Sequence, residues 1–154
     1  EVMLTKCPIF PGLDGRKMSK SYHNTIGLRE DSKSVEKKLL IMPTDPARVK
    51  RADPGDPEKC PVWPLHKVYS DDSVKEWVQK GCRSAGIGCI ECKRALIDKV
   101  LQEQAPICER VLEFEQNPAL VHSIIEKGCE AARAVAEKTM CEVREAMGIT
   151  GYVK

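Results

Sequence analysis

Between residues 42 and 64 the sequence holds six prolines: Pro43, Pro46, Pro54, Pro57, Pro61 and Pro64. Each lacks a backbone N–H and fixes φ at about −65°, so no regular helix or central strand runs through this stretch. It predicts a long ordered connection, and connections of that length usually carry function. The rest of the chain has to fold on either side of it.

Behind the prolines the pattern turns helical. Pro64 suits the first turn of a helix through PLHKVYS. Ser73 and Glu76 have capping-box spacing and predict a helix to Lys80, which SAGIG ends. A long helix is expected from Cys89, with Ile97, Leu101, Ala105, Cys108 and Leu112 on one face and Pro106 as a kink or interruption. Asn117 caps and Pro118 opens a last helix. Its expected buried stripe is Val121, Ile125, Gly128, Ala132, Val135, Thr139 and Val143, with Gly148 as its end. The short turn between these two helices predicts antiparallel packing. Ahead of the prolines, Asp31 and Ser32 offer a cap for a helix over residues 33–41. The expected fold is mainly α. Residues 31–154 are expected to form a helical domain, and CPIFPGL ahead of it reads as a strand end broken by Pro8 and Pro11.

A chain of 154 residues is long enough for one real core. Its 25 basic and 23 acidic residues leave a net charge of only +2. A global basic field is thereby excluded, and any RNA contact has to come from local patches. ARVKR, from Ala47 to Arg51, is one such patch, with ordinary solvated surface as the alternative. No run is long enough for a membrane span and no secretory signal is visible, so a cytoplasmic location is expected.

The segment GLDGRKMSKSYHN, from Gly12 to Asn24, has no amphipathic period. Gly12 and Gly15 free the backbone for a close approach, and the lysines and serines behind them offer point charges and hydroxyls for phosphate oxygens. By composition it is a basic loop suited to a polyphosphate, or an ordinary solvated turn.

Eight cysteines without a secretory signal are not read as a disulfide framework. Cys60, Cys82, Cys89 and Cys92 form C-x21-C-x6-C-x2-C. Cys89 and Cys92 stand at the mouth of a helix, Gly86 and Gly88 let the backbone bend before them, and Cys60 comes from the proline-rich connection. Four thiolates from neighbouring segments can enclose one metal centre, for which zinc is the commoner occupant of such spacing. Incidental burial is the alternative. Cys7, Cys108, Cys129 and Cys141 are isolated and read as small hydrophobes.

KMSKS resembles the second signature of class I aminoacyl-tRNA synthetases. The match continues through FPGLDGRKMSKSYHNTIGL, PGDPEKCPVWPLHKVYS and AARAVAEKTMCEVREAMGI, each similar to the bacterial tryptophanyl-tRNA synthetases and in the same order. The resemblance implies that residues 1–30 end a Rossmann-type catalytic domain and that 31–154 bind the anticodon region of tRNA(Trp). It implies an ATP site, with Mg2+, at Lys17, Met18, Ser19, Lys20 and Ser21. Lys17 and Lys20 would act catalytically on the phosphates, and Met18 would lie near the adenine. No first signature of the HIGH type surrounds His23, His66 or His122, so the chain is expected to be the C-terminal part of a longer ligase and inactive alone. The whole enzyme would bind tryptophan and form a homodimer. A subset of the family carries a 4Fe-4S cluster on cysteines spaced like these, with one more residue in the first gap, which implies the same cluster here. Arg83, Lys93 and Arg94 would then be placed for anticodon phosphates or a base edge. The competing expectation is a non-catalytic zinc or iron–sulfur helical module that binds RNA or protein.

Overall fold

The computed structural model of the chain describes residues 9–149. Cys7, expected to be an isolated small hydrophobe, lies outside the described residues. Among the described residues five helices follow one another: α1 (Ser32–Ile41), α2 (Trp63–Tyr69), α3 (Asp72–Arg83), α4 (Cys89–Gln116) and α5 (Pro118–Ala146), with 3-10 turns at Lys20–Tyr22 and Pro57–Lys59. No β-strand forms among the described residues. Of the run expected to be a strand end, Pro11 enters only an isolated antiparallel bridge with Lys17. None of the described helices is long and apolar enough to cross a membrane.

The helix starts follow from local chemistry. Asp31 accepts the Ser34 amide at 3.0 Å, so α1 begins at Ser32 as its cap demands. Asn117 accepts the Leu120 amide at 3.1 Å and Pro118 fills the next position. The start of α3 departs from expectation. Asp71, not Ser73, is its N-cap and accepts the Val74 amide at 3.0 Å, while Ser73 donates its hydroxyl to Asp71 at 2.6 Å. An ionised carboxylate outcompetes a hydroxyl as acceptor at a positive helix terminus. Nor does Pro106 interrupt α4, which runs on to Gln116 with the proline inside it.

The chain divides into two units, one up to Glu109 and one from Arg110. The core of the first joins Val35, Leu39 and Met42 of the α1 region, Val62 and Leu65 of the α2 region, and Leu96, Ile97 and Val100 of α4. Phe10 packs edge-on against Tyr69, their rings 6.0 Å apart. The buried face of α4 is Lys93, Leu96, Ile97, Val100 and Gln104. It is rotated from the expected stripe, since Ala105 and Leu112 are exposed. Two polar side chains caused the misreading. Lys93 and Gln104 are buried because their tips reach backbone carbonyls, Gln104 donating to Gly27 at 2.8 Å.

In the second unit α5 buries none of its residues. Ile125, Val135 and Val143, members of the expected buried stripe, are all exposed. An amphipathic pattern marks a face that can be buried, and it does not by itself bury that face. Gly148, at φ +69°, ends the helix as expected.

Candidate functional site

Residues 10–24 form a loop closed on itself. The Met18 amide donates to Phe10 O at 2.9 Å and the Leu13 amide to Asn24 O at 2.9 Å. Gly15 takes φ +80°, which a side chain would resist. Asn24 is the fastening. It is 3% exposed. Its Oδ1 accepts the Ser19 amide at 2.8 Å, and its Nδ2 donates to Asp14 Oδ1 at 2.7 Å and to Lys17 O at 3.2 Å. The Asn24 amide and the Arg16 guanidinium, 2.8 Å from the Asp14 carboxylate, hold Asp14 down at about 2. Arg16 also lies over the Tyr22 ring.

The loop thus satisfies its own polar groups and leaves cations outside. Lys17, Lys20 and Ser21 are exposed, and Ser19 is half-buried. Lys17 and Lys20 have no carboxylate partner among the described residues. Met18 turns the other way and lines an apolar cavity of about 380 Å3 with Phe10, Leu39, Leu65 and Tyr69.

The four predicted cysteines come together. Cys60, Cys82, Cys89 and Cys92 line one cavity with Asp45, Arg48, Ile87 and Lys93. Cys82 is in the last turn of α3, and Cys89 and Cys92 are in the first turn of α4. Cys60 follows the 3-10 turn of the proline-rich connection. That connection is held in shape by Asp45, whose carboxylate accepts the amides of Ala47 at 3.0 Å and Asp56 at 2.8 Å. Both bonds keep Asp45 below the usual carboxylate range. The bend before Cys89 is not made as expected. Ala85, at φ 56°, takes the left-handed position, and neither Gly86 nor Gly88 has positive φ.

Burial pushes the Cys60 and Cys82 thiols up. Cys92 rises to about 12, first through burial and then through the charges of the other three. Left alone, these groups stay protonated, whereas a bound cation removes the penalty. Counter-charges are already inside. Arg48 is 8% exposed; its Nη2 donates to Ile87 O at 2.6 Å and Arg51 O at 2.9 Å. Its Nη1 stands 3.9 Å from Cys82 Sγ. Its buried Nε has no acceptor among the described residues. The donor set and the orphaned cationic nitrogen fit an anionic metal–thiolate group. As the side chains stand, no three His, Cys, Asp or Glu among the described residues form a group that could hold a metal ion. The enclosed space, about 20 Å3, is that of one water-sized particle.

One expected RNA contact is corrected by burial. Lys93 is 6% exposed and donates to Leu40 O at 2.6 Å and Met42 O at 2.5 Å, at the C-terminal end of α1. Arg48 is likewise withdrawn from the ARVKR patch. Arg83 and Arg94 are exposed, as is Arg51, which pairs with Glu91 at 3.4 Å. Sequence reasoning missed Asn24, Asp45, Arg48 and His66. The sequence carried no distinct signal for His66, which stands beside a second polar residue, Lys67, in α2.

A cationic loop tied to a helical body, followed by a cysteine cavity, narrows the class. Residues 1–102 match the family described as tRNA synthetases class I (W and Y), and the chain belongs to that family. The relatives narrow it further. The tryptophan–tRNA ligase of Ralstonia nicotianae is 62% identical over 150 residues, which is 97% of this chain and 38% of that protein. That of Thermotoga maritima is 46% identical over 150 residues, 97% of this chain and 46% of that protein. The chain therefore spans less than half the length of these relatives. A crystal structure of the Campylobacter jejuni tryptophanyl-tRNA synthetase, complexed with ADP and tryptophan, superposes with a TM-score of 0.79 at 29% identity. It covers 91% of this chain and 43% of that one.

Proposed function

We propose that this chain supplies the ATP-phosphate loop and the anticodon-binding helical region of a tryptophan–tRNA ligase. The observation that carries the proposal is the exposed pair Lys17 and Lys20 on a loop held by Asn24, in a chain 62% identical to such a ligase. In the whole enzyme a tryptophan carboxylate oxygen bonds to the α-phosphorus of ATP, and the bond to the departing pyrophosphate breaks. Lys17 and Lys20 meet the charge that grows on the phosphate oxygens, with Ser19 and Ser21 adding hydrogen bonds. Mg2+ bound with the nucleotide would neutralise part of the phosphate charge. Residues 1–30 end the nucleotide-binding domain, 31–154 meet tRNA(Trp), and the whole enzyme is a cytoplasmic homodimer.

Cys60, Cys82, Cys89 and Cys92 would hold a 4Fe-4S cluster that staples the proline-rich connection to α3 and α4. When bound, such a group supplies a rigid anionic anchor and a redox centre. Around it, Arg48 offers counter-charge and Lys93 holds the end of α1. Arg83 and Arg94, exposed close by in sequence, face solvent for RNA phosphates. Zinc is the second reading, favoured by a cavity sized for a single particle.

Pyrophosphate exchange in the full-length enzyme tests the loop. Lys20→Ala should lower the rate about a hundredfold or more while tryptophan affinity holds. An unchanged rate removes Lys20 from the chemistry. Metal analysis of anaerobically purified protein tests the cysteines. Iron with acid-labile sulfide supports the cluster, zinc alone supports the second reading, and neither metal with freely reacting thiols ends both.

A further inference from the structure

One buried polar side chain has no part in the chemistry above. His66 on α2 is 0% exposed, yet both ring nitrogens are engaged. Nδ1 stands 2.8 Å from the hydroxyl of Ser70, the residue that caps the C-terminal end of α2. Nε2 stands 3.3 Å from Cys92 Sγ on α4. The Trp63 ring lies 6.2 Å away at a tilt of 38°, and Ser70 is itself only 5% exposed. An apolar residue would fill this place in the core at lower cost, because a buried imidazole has to have both nitrogens satisfied. A line Ser70–His66–Cys92 therefore runs from the end of α2 to one cysteine of the cavity.

We infer that His66 is a positioning residue for the four-cysteine site, with its Nε2–H donating to the Cys92 sulfur and the Ser70 hydroxyl locking the ring in that tautomer. This role presupposes the metal–thiolate site proposed above. Its logic is that of donors and acceptors. A metal-bound thiolate only accepts, so the nitrogen facing it carries the proton. A neutral imidazole has one such proton, so Nδ1 becomes the acceptor and the Ser70 O–H the donor. A ring fixed in this way orients the sulfur and withdraws charge from it. Hydrogen bonds to cluster sulfurs help set the reduction potential, and a donor favours the more negative, reduced state. Arg48 reaches Cys82 in the same sense from the opposite segment.

The test uses the 154-residue chain reconstituted anaerobically with ferrous iron and sulfide. Midpoint potential is read by spectroelectrochemistry and iron retention by challenge with a chelator. His66→Phe should shift the potential downward and speed iron loss. His66→Gln, whose amide reaches toward the Nε2 position, should recover part of both. Ser70→Ala keeps the ring and its packing and should give a smaller shift in the same direction. Should His66→Phe fail to fold, His66→Gln and Ser70→Ala decide on the same readouts. If the parent takes up neither iron nor sulfide, the cluster reading fails and the role of His66 toward it goes with it. If the parent loads and every folded variant keeps its potential and its retention, the cysteines stand and His66 is structural only.

Discussion

Gly55 and Cys82 approach so closely that a Cβ on Gly55 would lie 2.8 Å from the Cys82 sulfur and 3.1 Å from Arg48 Cδ. The Gly55 amide also donates to the Cys82 carbonyl at 3.0 Å. The proline-rich connection is thus pinned to the end of α3 through backbone, with the thiol in van der Waals reach. Gly55→Ala has to displace Cys82 or Arg48. Overpacking of this kind costs about 1–3 kcal/mol, to be read from urea unfolding. Iron uptake on anaerobic reconstitution should fall as well. Stability and uptake equal to the parent's would show that Cys82 moves aside freely and that the close approach has no consequence.

Arg48 should behave as a structural ion before anything else. Arg48→Met leaves the carbonyls of Ile87 and Arg51 without this donor. The Ile87 carbonyl is the buried one of the two, and orphaning it costs about 1–3 kcal/mol. Arg48→Lys should recover only part, because an ammonium lacks the planar fork that reaches the carbonyls and faces the sulfur together. Full recovery by lysine in urea unfolding would reduce Arg48 to a point charge.

The loop of residues 10–24 has its own acid limit. Asp14 is held at about 2, first by Asn24 and then by Arg16, below the 3.8 of an unperturbed aspartate. A carboxylate depressed in the folded state stabilises above its unfolded pKa, and that contribution is lost as pH falls from 3.8 through 2. Asn24→Ala should move the Asp14 midpoint, followed by carboxyl NMR, up toward 3.8. It should also loosen the Ser19 amide, which then exchanges faster. An unmoved midpoint would assign the depression to Arg16 alone.

Much of the architecture was legible because its signals are local. Caps at Asp31 and Asn117, the prolines, and the Cys89–Cys92 spacing each act within a few residues. What escaped depends on tertiary partners. The face of α4 was misread because Lys93 and Gln104 count as polar in any periodicity, yet their tips find carbonyls far away in sequence. The α5 stripe was legible as a pattern, but a pattern does not say whether a covering surface is present. Asp71 displaced Ser73 as a cap by the strength of a charged acceptor. Asn24 and His66 could not be singled out, since an asparagine in a loop and a histidine in a helix look ordinary until their neighbours are placed.

Lys93 and Arg94 are adjacent in sequence but belong to different problems. Lys93 is buried against the end of α1, where its ammonium bonds Leu40 O and Met42 O; Arg94 faces solvent. Lys93→Met should therefore destabilise the chain by about 2–4 kcal/mol, the cost of two orphaned carbonyls less the gain of burying an apolar chain. Arg94→Ala should stay within about 0.5 kcal/mol, as exposed substitutions do. Binding to tRNA(Trp) by the full-length enzyme then separates the roles. Arg94→Ala should weaken it and reduce the salt dependence by about one phosphate contact. Lys93→Met should leave the salt dependence unchanged wherever the protein is folded. The opposite pattern, a salt slope that responds to Lys93 and ignores Arg94, would mean that α4 turns its other face to the RNA.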